Sequence, residues 1–270
     1  MGSAPATSLI IATYNWAEAL HCSLLSVLKQ KTLPLEVIIA DDGSDHRTRD
    51  LIARMQQIFP VPVIHVWHED RGFRKSEILN RAVRQTSGTY IVQVDGDVVL
   101  HASFIQDHIA AAECGAFVRG TRARLNPART EELLKSSEAE MRKTNFRFYS
   151  RGVDNRLNAV RLPVFRSLGQ RREMKSRSVR GSNLAYWKDD FLRVNGYNNE
   201  LSGWGHEDEE LAARFINNNI IKKIVKLSAV QYHLHHDELP RSNEPFHREA
   251  VQQTLLTKVK KCLNGYENLL

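Results

Sequence analysis

The first hundred residues alternate short apolar runs with helical stripes, and that rhythm leaves few folds open. Ser8 to Thr13 reads as a strand and is followed by Leu20, Leu24, Val27 and Leu28 on one helical face. Glu36 to Ala40 is a second strand, with Leu51, Ile52, Met55 and Ile58 as the next stripe. Val63 to Val66, a helix around Ser76 to Val83, and Tyr90 to Val94 continue the series. Strands alternating with helices at this pitch predict right-handed crossovers and an α/β fold, with a mostly parallel central sheet flanked by helices. In such sheets ligands bind beyond the carboxyl ends of the strands. Three polar loops fall there: Tyr14-Asn15, Asp41-Asp42-Gly43-Ser44 and Asp95-Gly96-Asp97. The first strand is not followed by GxGxxG and the chain lacks GxxxxGK[ST], which argues against dinucleotide and P-loop sites.

Beyond Val118 the pattern becomes irregular and basic. From Arg119 to Arg180 there are 17 Lys or Arg against 6 Asp or Glu, an excess of 11 that leaves the rest of this +7 chain at −4. Thr130 to Phe148 is predicted to be helical, with Glu131 and Glu132 near its positive end. Order returns at Asn183 to Trp187, followed by a helix over Lys188 to Val194 and a turn at Gly196 to Asn199. Gly203 to Glu210 is a carboxylate-rich loop opening a helix through Leu211, Ala212 and Phe215. An apolar segment, Ile224 to Val230, leads into His233, His235 and His236. Leu255, Leu256, Val259 and Cys262, interleaved with Lys258, Lys260 and Lys261, predict a basic amphipathic tail.

At 270 residues and 42% apolar composition the chain must fold, as one large domain or one plus an appendage. Cys22, Cys114 and Cys262 are odd in number and lack metal or redox spacing, so they read as ordinary thiols in a reducing compartment. The opening residues lack a basic start and a long apolar run, and no stretch reaches the ~18 residues of a membrane span. The expected location is cytoplasmic, with peripheral attachment at the inner membrane face compatible with the basic segments.

Asp95 and Asp97 project from a turn after an apolar strand, a spacing that can hold a hard divalent cation against diphosphate oxygens. His233, His235 and His236 supply imidazoles of the kind that complete manganese-type sites. Glu207 and Asp208 follow Trp204, so a carboxylate at a helix start can take a proton from a hydroxyl while an aromatic face holds a sugar ring. Gly203 and Gly205 suit a tight backbone course that presents the ring. Glu209 and Glu210 are expected only to stabilise the helix dipole.

Together these segments resemble the family 2 glycosyltransferases of the GT-A fold, in the branch whose carboxyl half is similar to β-1,4-galactosyltransferases and bacterial chondroitin-polymerase-type enzymes. The resemblance covers roughly Ser8 to Val118 and Gly181 to His236. It rests on Ala-Thr-Tyr-Asn at 12–15, Ala-Asp-Asp-Gly-Ser at 40–44, and Arg-Gly-Phe-Arg-Lys at 71–75 with Asn80. It rests equally on Asp-Gly-Asp at 95–97, Arg-Gly-Ser-Asn at 180–183, and Asn-Gly-Tyr followed by Gly-Trp-Gly-His-Glu-Asp-Glu-Glu at 203–210.

The resemblance implies one GT-A domain: a nucleotide-binding half at 8–118, a basic insertion at 119–180, an acceptor and catalytic half at 181–240 and the tail at 241–270. Ala12, Tyr14, Asn15 and Asp42 would hold uracil and ribose, with Lys75 and Asn80 near the diphosphate. Asp95, Gly96 and Asp97 would form the DxD turn, with Asp97 on the metal. Asp208 would be the base, with Trp204, Gly205 and Glu207 toward the acceptor. The histidine ligand falls on His236 or His235, with His233 also open. The expected cofactor is Mn(II), or else Mg(II). The expected reaction is an inverting transfer from a UDP-sugar to a saccharide or lipid-linked saccharide. For the basic insertion three readings stand: a solvated surface, attraction to a membrane-borne acceptor, or an acidic glycan acceptor. A nucleic-acid-binding protein and a sugar nucleotidyltransferase are the rival classes. Neither is the expected one, since no nucleic-acid motif and no triphosphate loop occurs in the sequence.

Overall fold

The computed structural model describes residues 4–146, 150–165, 167–237 and 243–269. The predicted alternation appears as β1 (Thr7–Thr13), α1 (Ala17–Leu28), β2 (Glu36–Asp41), α2 (His46–Gln56), β3 (Val63–Trp67), α3 (Lys75–Gln85) and β4 (Tyr90–Asp95). β1 is buried at every position because both its faces are covered. Its side chains alternate between two cores. Leu9 and Ile11 join Val37, Ile39, Leu20 and Leu24 on one face, while Ile10 joins Ile38, Ala40, Ile78 and Leu79 on the other. Each such side chain contributes about 1.5–3 kcal/mol by burial, and Leu9→Ala would cost about 2–5 kcal/mol.

Register sets where this apolar slab stops. Thr13 pairs with Asp41 and Ala12 with Asp95, so the three polar loops leave the sheet at one level and form the expected rim.

The chain continues through β5 (Val98–Leu100), α4 (Phe104–Ala111), β6 (Ala116–Arg119), β7 (Thr121–Leu125), α5 (Pro127–Lys135), α6 (Glu138–Lys143), β8 (Val153–Asp154) and β9 (Gln170–Glu173). It closes with β10 (Asn183–Trp187), α7 (Lys188–Arg193), α8 (Glu207–Asn217), β11 (Ile221–Val225), β12 (Val230–His233) and α9 (Glu244–Leu256). An eight-stranded sheet runs β3-β2-β1-β4-β10-β6-β11-β9 beside a four-stranded sheet, β5-β12-β7-β8. The β3 to β4 half is parallel as expected, but β10 enters antiparallel to both β4 and β6, so the whole sheet is mixed.

Several expectations need correction. The helix predicted over 130–148 is two helices, because Asn126 caps α5 and Ser137 with Glu140 forms a capping box that starts α6 afresh; Phe148 lies outside the described residues. The single segment 224–230 is the end of β11 and the start of β12 in different sheets, separated by the left-handed residues Leu227 and Ala229. The tail lysines are not on an amphipathic helix. α9 ends at Leu256, Lys258 is left-handed, and the chain turns back so that the Cys262 N–H donates to Val194 O and buries its thiol. The basic insertion is built into the fold, since β7, β8 and β9 are strands of the two sheets. Among the described residues no helix is long and apolar enough to cross a membrane.

Candidate active site

A cavity of about 420 Å3 opens on the polar rim, a size suited to small-ligand recognition. Ala12, Tyr14, Asp42, Phe73 and Lys75 line one end, Asp95, Gly96 and Asp97 the floor, and Trp204, Arg122, Arg124, His233, His235 and His236 the remainder.

At the first end the carboxylates are fully engaged. Asp42 Oδ1 lies 2.6 Å from His68 Nε2, and its Oδ2 accepts the Arg74 N–H at 2.9 Å. Its neighbour Asp41 lies 2.8 Å from His65 Nε2 and accepts the Ser44 N–H. The Tyr14 hydroxyl donates to Asp70 at 2.9 Å, leaving the ring half exposed beside Asp42. Asn15 does not line the cavity. Its N–H donates to Ser44 Oγ and its Oδ1 accepts the Asp45 N–H, so it ties the first polar loop to the second. Asn80 is fully buried and faces away: it donates to Tyr197 O and Asn199 Oδ1 and accepts the Tyr197 N–H.

Gly96 lets the DxD turn pack closely on β1. Its N–H donates to Ala12 O at 2.7 Å, and a Cβ would lie 3.1 Å from that oxygen and from Thr13 Oγ1. The Leu234 N–H donates to Asp97 O at 2.9 Å, joining the end of β12 to the turn. This brings His233 Nε2 to 3.3 Å and His236 Nε2 to 3.1 Å from Asp97 Oδ2. The donor atoms of these three residues lie within 4.8 Å of one another. Among the described residues Asp97 Oδ1 is buried without any partner. Burial alone would raise Asp97, but His236 and His233 hold its carboxyl below the usual range; the same hydrogen bond lifts His236 to about 9, while burial lowers His233. His236 Nδ1 lies 2.7 Å from Asp237 O, an arrangement that turns Nε2 toward Asp97. His235 is not part of the cluster; its N–H donates to Thr130 Oγ1.

Glu207 and Asp208 occupy the first turn of α8, near its positive end. Asp208 accepts the Gly181 N–H at 2.6 Å and the Tyr197 O–H at 2.9 Å. A side chain at Gly181 would collide with Asp208 and Gln93. Neither acid lines the cavity. They meet its wall through Lys75, whose Nζ donates to Asp95 at 2.7 Å and lies 3.9 Å from Glu207. Burial would lower Lys75, but Asp95, Asp208 and Glu207 together hold it above its ordinary value. Burial and then Asp208 push Glu207 up to about 7 against the pull of Lys75, and burial also raises Asp208. Gly205 is left-handed and gives its N–H to Glu207, so it shapes the loop without touching the cavity. Trp204 does line it. Glu209 and Glu210 do more than favour the dipole: Glu209 binds His206 and the Ser178 N–H, and Glu210 pairs with fully buried Arg214 at 2.6 Å.

Sequence reasoning missed His68, Phe73, Arg122 and Arg124. For the arginines a signal existed, since Thr121-Arg122-Ala123-Arg124-Leu125 alternates with period two, buried at every other position.

Over 237 residues the chain is 24% identical to a chondroitin synthase of Escherichia coli, covering 84% of this chain; it spans 34% of that relative's length. Among solved structures it is similar to a mannosyltransferase from Pyrobaculum calidifontis in complex with GDP-Man and Mn2+, with TM-score 0.57, 18% identity, and coverage of 95% and 63% of the two chains. It is also similar to S. aureus TarS 1-349 in complex with UDP, with TM-score 0.62, 16% identity, and coverage of 97% and 67%. At these identities the structural likeness establishes the mixed GT-A-type α/β fold. Residues 162–237 match the family described as N-terminal domain of galactosyltransferase. Residues 8–175 match glycosyl transferase family 2, and the chain belongs to that family.

Proposed function

We infer that the chain transfers a hexose or N-acetylhexosamine from a UDP-sugar to a saccharide hydroxyl, with inversion, in cell-surface polysaccharide or glycan synthesis. The observation that carries this reading is the unpartnered, buried Asp97 Oδ1 on the cavity floor beside two imidazoles. One carboxylate and two imidazoles form a mixed oxygen and nitrogen donor set, which suits Mn(II) better than the all-oxygen shell preferred by Mg(II). Asp97, His233 and His236 would hold the ion. When bound, it supplies positive charge that stabilises a departing diphosphate.

The chain's own residues do the rest. Tyr14 and Asp42 receive the uracil and ribose, with Asp42 held in place by His68 and the Arg74 N–H. Lys75 is engaged by Asp95 and neutralises the acidic cluster, so it acts on the diphosphate only through that network. Asp208 takes the proton of the acceptor hydroxyl. As the new glycosidic C–O bond forms, the anomeric C–O bond to phosphate breaks and its electron pair leaves with UDP. Attack from the face opposite that bond converts an α-linked donor into a β-linked product. Asn80 holds Tyr197, and Tyr197 orients Asp208, which gives the buried asparagine a positioning role. Trp204 offers its ring to the sugars.

A screen of UDP-sugars by thermal shift and donor hydrolysis, with and without Mn(II), tests the reading. A rise in melting temperature with UDP that requires Mn(II) is expected. Indifference to UDP in the presence of the metal would sink it.

A further inference from the structure

On the side of the cavity facing the basic stretch, several arginines lack counter-ions. Arg122 lies on β7 in the cavity wall; behind it Arg119 ends β6, paired with Leu184 of β10, and Arg180 precedes that strand, its carbonyl accepting the Asn183 N–H. Among the described residues none of the three forms an ion pair or a side-chain hydrogen bond, although the Arg180 charge acts on both Arg119 and Arg122. The carboxylates whose charge reaches them are engaged elsewhere. Glu173 pairs with Lys222 at 3.1 Å and with Arg171 at 2.8 Å, Asp95 with Lys75, and Asp97 with the two histidines. Burial, and then Arg180, lower Arg122 to about 10, so it still carries its full charge near neutrality. Arg119 and Arg122 are half-buried and Arg180 is exposed; holding the two half-buried guanidinium groups beside a third positive charge without an anion costs free energy that a bound oxyanion recovers.

A substrate can bring such an oxyanion as the donor diphosphate or as an acidic group on the acceptor. The diphosphate would already be met by the cation that Asp97, His233 and His236 would hold. Arg180, in contrast, adjoins the Gly181 N–H that holds Asp208 at 2.6 Å, next to the carboxylate that would receive the acceptor's proton. We propose that Arg119, Arg122 and Arg180 form a subsite for an acidic group, a carboxylate or phosphate, carried by the acceptor saccharide. This rests on the glycosyltransferase reading of Asp208 and deepens it by naming the acceptor's chemistry.

The test titrates glucuronic acid, glucose 6-phosphate and glucose into the full chain, alone and with UDP and Mn(II), and compares wild type with Arg119→Gln and Arg122→Gln. At least one acid should bind wild type tenfold or more tightly than glucose, and that preference should shrink to within twofold in both variants. Arg122→Lys, which keeps the charge, should restore part of it and guards against misfolding as the cause. Equal binding of acids and glucose by wild type overturns the proposal. So does an acid preference that survives in the variants, or a tenfold loss of UDP affinity in them, which would assign the guanidinium groups to the donor. A wild type that prefers acids yet ignores UDP with Mn(II) keeps the anion subsite and rejects the transferase reading, so the two failures are distinguishable.

Discussion

The two ends of the cavity are built from the same residue types and left in different states. At the Asp42 end every carboxylate oxygen has a partner, from His68, His65 or a backbone N–H. At the Asp97 end both imidazoles converge on one oxygen and the other is buried alone. A completed set of contacts shapes a surface, whereas an incomplete one costs stability unless something binds. The difference separates a supporting wall that the chain's own groups hold in shape from one carboxylate oxygen left without a partner among the described residues.

The largest effect belongs to neither end. Asp208→Asn should lower turnover about 10²- to 10⁴-fold while Mn(II)-dependent stabilisation by UDP stays near wild type; near-normal turnover would remove Asp208 from the base role. The contrast itself is tested by Asp97→Asn against His68→Gln. The first should abolish the metal dependence of UDP binding, whatever the loss of its two histidine contacts does to the melting temperature. The second should lower stability by about 1–3 kcal/mol, because it strips a partner from buried Asp42, and should leave metal dependence intact. A matched pattern in the two variants would erase the distinction.

The smallest effect concerns Glu207, pushed up from its ordinary 4.5 to about 7 by burial and Asp208. A raised carboxyl pKa in the folded chain gives stability that is full below about 4.5 and lost as pH rises through about 7. Glu207→Gln should therefore flatten the fall in melting temperature across that window; an unchanged slope would assign the fall to Asp208, which is raised in the same direction.

The supporting end was more legible in the sequence than its supports. Strand ends with Tyr14, Asp42 and Asp97 showed themselves because an apolar run switching to polar residues is a local signal. Asn15 and Asn80 are expected to contact the ligand, yet Asn15 ties the first polar loop to the second and Asn80 holds Tyr197, partners that tertiary packing supplies. His68 follows an edge strand without any motif, and only the parallel pairing of β2 with β3 brings it to Asp42. Arg122 and Arg124 were hidden by composition, since a run crowded with arginine obscures a two-residue alternation. The split of 224–230 turned on left-handed backbone at Leu227 and Ala229, residues that give no warning of it.

The amide of Leu234 bonded to the Asp97 carbonyl has a consequence for how the protein can be taken apart. The pocket's chelating walls come from opposite halves of the polypeptide and are stitched together by main chain, so neither fragment would retain the ion alone. Retention of an ion held by Asp97, His233 and His236 would thereby be a readout of tertiary integrity, lost when β12 peels from β5 even while the amino-terminal sheet survives.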